Sequence, residues 1–202
     1  MKKHWFYWLI FLGCLWPAVE LVLDTYHGRL GVNPVETLLH ETGRTALSIL
    51  FAALSVTPIR RLTGWNRIQT VRRTLGVWSF VYALSHFLIY VVFNHLGDVQ
   101  AILDDVFKRK FIFSGMLALS ILFVLTLTST NGMIRRLGKR WQKLHRLAYV
   151  AAIAGAVHFV WGQKADIREP LLWAAGLALL LGFRVVWALK RRRPRAVAAV
   201  TH

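Results

Sequence analysis

Acidic residues are scarce in this chain: nine of 202, against 26 lysines and arginines, for a formal net charge of +17. None of the nine lies in the middle of an apolar run, which argues against a carboxylate-based proton relay inside a membrane. Cysteine is scarcer still. Cys14 stands alone in an apolar stretch, so the chain has no internal disulfide and no companion thiol for a Cys-based metal site. Polar linkers are also missing, as is any repeat that would mark a second domain. The expectation is a single domain over 1–202, ending in a short, disordered basic tail at 190–202.

What is abundant is apolar. Hydrophobic residues make up 56% of the chain, nine residues are tryptophan, and the mean hydropathy is +0.46. A soluble domain of this length is rarely so apolar, whereas a polytopic membrane protein is. The charge of +17 could suggest nucleic acid, but the basic residues sit in short clusters between apolar runs, a pattern of membrane topology. A run of about 20 apolar residues crosses a bilayer as a helix. Six such spans are expected, over 5–23, 42–59, 75–96, 111–128, 147–161 and 171–189, giving an all-α integral membrane protein with a six-helix bundle. Lys2 and Lys3 followed by an apolar run look like a signal peptide. No small-residue cleavage site follows, so the segment is read as a retained first helix.

Charge orients the bundle. One set of connections carries Arg60, Arg61, Arg67, Arg72 and Arg73, then Arg135 through Arg146, then Lys190 through Arg195, with no acid among them. All nine acids fall at or beyond the opposite helix ends. By the excess of Lys and Arg on the inner side, both termini are cytoplasmic.

Three histidines stand in or beside these spans: His86, His145 and His158. An ionisable group inside a bilayer is costly and marks function by default. His86 and His158 each follow their expected helix start by eleven residues, or about 16 Å, on two helices running the same way. Paired imidazoles at one depth suit bis-histidine ligation of a haem, which carries electrons and leaves no open iron site. The alternative is a pair of core histidines bonded to backbone or serine. His145 lies thirteen residues before His158, a rotation of about 220° on an ideal helix, so sharing a face with His158 requires a distortion, for which Gly155 is a candidate. Fourteen residues before His86, where a partner for His145 would stand, is Arg72, a poor iron ligand but a good partner for propionates or a flavin phosphate. His27 and His40 fall in an outer loop, His95 turns to the opposite face from His86, and His4 and His202 are terminal; all five read as structural or solvated. Arg184 is expected to snorkel to the cytoplasmic interface.

At these positions the chain resembles the MsrQ/YedZ family, the haem-binding membrane subunits of the bacterial periplasmic methionine-sulfoxide reductase system, within the ferric-reductase-like transmembrane group. The resemblance lies in 33–43 (NPVETLLHETG), 54–61 (LSVTPIRR), 72–90 (RRTLGVWSFVYALSHFLIY), 108–113 (KRKFIF) and 137–164 (LGKRWQKLHRLAYVAAIAGAVHFVWGQK). It implies a multi-pass inner-membrane cytochrome carrying haem b and FMN. Electrons would come from the quinone pool or a cytoplasmic flavin reductase and pass to a periplasmic molybdopterin-dependent partner, MsrP. His86 and His158 would be axial ligands, His145 a further haem-site ligand, and Arg72 a cofactor contact.

The chain would then be a non-catalytic electron-transfer subunit of an oxidoreductase, since it has no thiol pair and no soluble domain able to hold molybdopterin. A ferric reductase or the cytochrome b subunit of another membrane oxidoreductase would use the same histidines but normally needs a flavin or NAD domain. A proton-relay transporter would need acids within the spans.

Overall fold

A computed structural model describes residues 5–163 and 166–192. Lys2, Lys3, His4, the basic tail from 193 and His202 lie outside the described residues. Every regular element among those described is helical: α1 (Trp5–Tyr26), α2 (Pro34–Thr63), α3 (Arg72–Ile89), α4 (Val99–Lys108), α5 (Lys110–Leu127), α6 (Asn131–Leu137), α7 (Lys139–Leu144), α8 (Leu147–Gly162) and α9 (Arg168–Arg192). Six helical stretches are long and apolar enough to cross a membrane: α1, α2, α5, α9, the continuous run Asn66–Asn94 through α3, and Lys139–Gly162 through α7 and α8.

The six expected spans are present, with α2 much longer than its apolar run. Its start is set by chemistry rather than hydropathy. Asn33 accepts from the Glu36 N–H at 3.3 Å and donates back to the Glu36 carboxylate at 2.9 Å, while Pro34 occupies the first turn, where its missing N–H costs nothing. The helix runs on past Pro58 and stops at Gly64, whose φ of 70° suits a left-handed C-cap. α9 continues to Arg192, into the first residues of the basic stretch expected from 190. Between α3 and α5 lies the short α4, capped by Asp98, and between α5 and α8 lie α6 and α7; none of the three was expected.

All nine acids lie toward one face of the bundle, at the end of α1, the starts of α2 and α9, and in α4 and its cap, or in the turn before α9. The opposite face holds the ends of α2, α5 and α9, the starts of α3 and α8, and α6 and α7 with their arginines and lysines. These are called the acidic and basic faces below.

Two helix pairs form the centre: α2 packs most extensively on α3, and α5 on α8. Both first helices run from the acidic to the basic face and both second helices return. Buried Ser79 donates to the Ala46 carbonyl across the first pair at 2.9 Å, and buried Ser114 to the Ala154 carbonyl across the second at 2.8 Å. Buried Ala151, Ala152, Ala154 and Ala156 on α8 let its neighbours approach closely, the usual way helices gain contact where lipid supplies no hydrophobic drive.

The two pairs are also related in sequence, by a repeat inside the bundle that a search for a second domain did not pick out. Residues 46–51 and 118–123 both read ALSILF, 72 positions apart. At the same offset Gly43 matches Gly115, Leu75 matches Leu147, and His86-Phe87 matches His158-Phe159. Each pair begins in the same direction and both line one cavity with equivalent residues, as two copies do when they face each other about an axis running from one face of the bundle to the other.

Tyr82 ties α1 to this centre. Pro17 disrupts the α1 hydrogen-bond ladder, and the buried Tyr82 hydroxyl is inserted there, accepting from the Ala18 N–H at 3.0 Å and donating to the Cys14 carbonyl at 2.7 Å. Those two backbone groups would bond each other in an unbroken helix. Replacing Tyr82 with Phe should therefore lower stability by about 1 kcal/mol, read as a lower unfolding midpoint in detergent; an unchanged midpoint would show that α1 re-forms its own bond at no cost.

Candidate functional site

The helix pairs enclose a cavity of about 330 Å³, within the range of roughly 300–1,000 Å³ common for small-molecule sites. Two rings line it from opposite helix pairs. His86 on α3 and His158 on α8 have centroids 6.0 Å apart and planes inclined by 85°. α3 begins at Arg72, three residues earlier than expected, yet the two histidines still meet at one depth.

Each ring is held in the same way by the other helix of its pair. His86 Nδ1–H donates to the Leu39 carbonyl on α2 at 2.9 Å, and His158 Nδ1–H donates to the Phe111 carbonyl on α5 at 2.7 Å. Both bonds span 47 residues. A carbonyl can only accept, so the proton is on Nδ1 and the Nε2 lone pair is free. Metal-binding histidines are oriented by this kind of bond.

A helical carbonyl is normally covered by the side chain four residues later, because Cβ atoms lean back toward the helix start. Four residues after Leu39 is Gly43, and four after Phe111 is Gly115. A Cβ on Gly43 would lie 3.1 Å from His86 Nδ1, and one on Gly115 only 2.7 Å from His158 Nδ1. The glycines are what expose the two carbonyls to the imidazoles. These four residues, Leu39, Gly43, Phe111 and Gly115, were missed by reading for histidines. The Gly-x-x-ALSILF repeat was the signal that could have found them.

Two imidazoles are too few to satisfy a bare ion, and among the described residues no three His, Cys, Asp or Glu side chains gather as a metal site. The geometry instead suits an ion whose other positions are filled by a flat macrocycle. With metal–imidazole nitrogen bonds of about 2 Å, two axial rings have centroids roughly 6 Å apart, as here. The remaining walls are apolar and aromatic, with Phe87 and Phe159 from equivalent positions and Leu50 and Leu122 toward the basic face. A porphyrin therefore fits the residues present.

The other expected site residues lie elsewhere. His145 is outside the cavity at the basic face, stacked on Trp141 with centroids 4.0 Å apart and its Nε2 3.3 Å from the Thr128 hydroxyl. The helix-phase argument does not apply to it, since His145 and Arg146 form the junction between α7 and α8. α8 itself runs unbroken through Gly155, so the distortion is at its start. Arg72, the first residue of α3, is at the same face. His40 is not in a loop but on α2, where it lines the cavity mouth, 3.5 Å from the Gln163 amide. His95 is structural: its Nε2 meets the Tyr90 hydroxyl at 2.8 Å and Asp105 at 3.1 Å. Arg184 does not snorkel freely. It turns inward, donating to the Tyr149 hydroxyl and the Leu54 carbonyl, with its guanidinium 4.9 Å from the Tyr149 ring centroid.

Over residues 42–156 the chain matches the family described as ferric reductase like transmembrane component. It is 42% identical to the protein-methionine-sulfoxide reductase haem-binding subunit MsrQ of Herminiimonas arsenicoxydans, across 96% of this chain and 90% of that protein. It is 44% identical to the MsrQ subunit of Rhodospirillum rubrum (91% and 89% covered) and 41% identical to that of Ralstonia nicotianae (94% and 88%). No solved structure matches it significantly.

If the glycines act by exposing the carbonyls, Gly115→Ala should weaken occupancy of the site roughly 10- to 100-fold, the scale of losing a ligand's orienting bond. Gly43→Ala, with the wider gap, should do less. Bound porphyrin per protein, measured after purification, gives the order; equal losses, or none, would refute it.

Proposed function

Since the chain belongs to the ferric-reductase-like transmembrane family and to its MsrQ haem-binding subunits, we propose that it is a b-type cytochrome of the bacterial inner membrane, passing electrons from the basic to the acidic side. The observation that carries this is the pair of carbonyl-oriented imidazoles 6.0 Å apart across the central cavity. His86 and His158 would hold haem b through their Nε2 atoms, and the group held so would supply single-electron transfer without an open position for a substrate. The protein's part is to hold both rings in one tautomer, keep water from the apolar walls and bring the cofactor within reach of each face.

The distribution of arginine and lysine supports a cytoplasmic basic face with both termini there. The donor is then the quinone pool or a cytoplasmic flavin reductase. The acceptor is a periplasmic molybdopterin-dependent subunit, MsrP, which reduces methionine sulfoxide. FMN fits the basic face. Arg61 lies over the Trp187 ring at 5.4 Å and Arg184 over Tyr149, with Arg72 close by, and none of the three has a carboxylate partner among the described residues. Arg184 Nε and Trp187 Nε1 are buried N–H donors without an acceptor. Uncompensated guanidiniums beside orphaned donors suit a phosphate, and Arg72 and His145 are assigned to that site.

The purified protein should show a dithionite-reducible b-type α-band. His86→Ala and His158→Ala should each reduce haem content by roughly tenfold or more, while His145→Ala retains the band. Loss in His145→Ala with retention in the other two would refute the ligand assignment, and absence of any band in the parent protein would refute the cytochrome.

A further inference from the structure

The cavity is built largely from residues at equivalent places in the two helix pairs. Gly43 faces Gly115, Leu47 faces Leu119, Leu50 faces Leu122 and Phe87 faces Phe159, each 72 positions apart. A b-type porphyrin has an approximate twofold of its own, running between its two propionates. Seated between His86 and His158, that axis can coincide with the axis relating the pairs. Symmetry then leaves two seatings, with the propionates toward the acidic face or toward the basic face.

The positions that break the repeat decide between them. Toward the basic face the cavity closes on Leu50, Leu122, Ala118 and Ala151, all buried. The repeat differs there by Ser79 against Ala151, but the Ser79 hydroxyl already donates to the Ala46 carbonyl, so carboxylates at that end would be stripped of water without a charged partner. Toward the acidic face the equivalences fail, and they fail in favour of polar groups. His40 stands where the second pair has Ile112, Arg44 where it has Met116, and Tyr90 where it has Gly162. Asn94, Arg109 and Gln163 complete this end of the lining.

The two arginines there are not equal. Arg44 is already committed to Glu169 at 2.7 Å and Glu41 at 3.5 Å. Arg109 uses its Nε for Asp105 at 3.0 Å, which leaves the two terminal amino groups of its fork. We propose that Arg109, with Asn94 and Gln163, binds the porphyrin propionates, so that the cofactor sits with its carboxylate edge at the acidic-face mouth and its vinyl edge between Leu50 and Leu122. This rests on the assignment of His86 and His158 as ligands. It makes Arg109 a cofactor-binding residue and places the propionate edge where a redox partner on the acidic side would meet it.

The test uses purified, haem-loaded protein and two readouts, the midpoint potential from a spectroelectrochemical titration and the propionate bending band in resonance Raman spectra. In Arg109→Leu, loss of a nearby positive charge favours ferric iron. At fixed ambient potential the ferric-to-ferrous ratio should rise about tenfold, a negative shift of about 59 mV for a one-electron couple, and the propionate band should move. Arg109→Lys should recover most of the potential, and Arg60→Leu at the basic-face end of α2 should change neither readout. A response in Arg60→Leu with none in Arg109→Leu would establish the reverse seating. No response in either would also overturn the proposal. If Arg109→Leu does not accumulate, Asn94→Leu and Gln163→Leu are read by the propionate band alone, with the same expectation and the same refutation. Parent protein that binds no haem would instead remove the ligand assignment beneath it. A normal bis-histidine spectrum with silent Arg109, Asn94 and Gln163 variants would defeat this inference alone.

Discussion

The bond from an imidazole to a backbone carbonyl of the neighbouring helix is the constraint on which the rest of this bundle depends. It joins α3 to α2 and α8 to α5, it fixes the proton on Nδ1, and it leaves Nε2 free. It also favours a glycine four residues beyond each carbonyl, because a Cβ there would press on the ring, hardest at Gly115, 2.7 Å from His158 Nδ1, and less at Gly43, 3.1 Å from His86 Nδ1. Once those two contacts are made, the distance between the rings follows from how the two helix pairs face each other. The serine-to-carbonyl bonds of Ser79 and Ser114 and the small residues of α8 hold each pair at the separation that the contacts require.

Duplication of this unit explains how a short chain builds a site with matched walls. Two copies of one helix pair, facing across an axis, supply two equivalent ligands at one depth without separate adjustment of either. What the copies do not share is concentrated at the two ends of the cavity. The acidic-face end carries histidine, arginine and tyrosine in the first pair only, while the basic-face end differs by Ser79 against Ala151, with the serine hydroxyl already given to the Ala46 carbonyl. Direction along the membrane normal is therefore carried by a few substitutions on an otherwise symmetric frame.

Much of this was legible without coordinates. The six spans follow from hydropathy, since a bilayer of fixed thickness sets a length that composition must satisfy. The segregation of charge to opposite faces follows from counting Lys and Arg against Asp and Glu in successive connections. The joining of His86 and His158 followed from depth alone, and a three-residue error in the start of α3 did not disturb it. The glycines and carbonyls beneath the rings were not read, because a backbone acceptor has no residue type to notice. Only the repeated ALSILF pattern hinted at them.

The misplacements have one origin. His145 was treated as a point on a continuous helix, but the chain turns between α7 and α8 just where it stands, and stacking on Trp141 then decides its direction. Arg184 was read as a cation seeking water. It found a tyrosine hydroxyl and a free carbonyl nearer, on α8 and α2. His40 was read as loop because its surroundings are polar, whereas Asn33 and Pro34 had already begun a helix. The sequence by itself determined what each segment is, since spans, faces and ligand depth depend on local composition measured against a slab of fixed thickness. Only the tertiary structure decided what each polar side chain is for. In a medium that offers no water, that depends on which unpaired group the neighbouring helix presents.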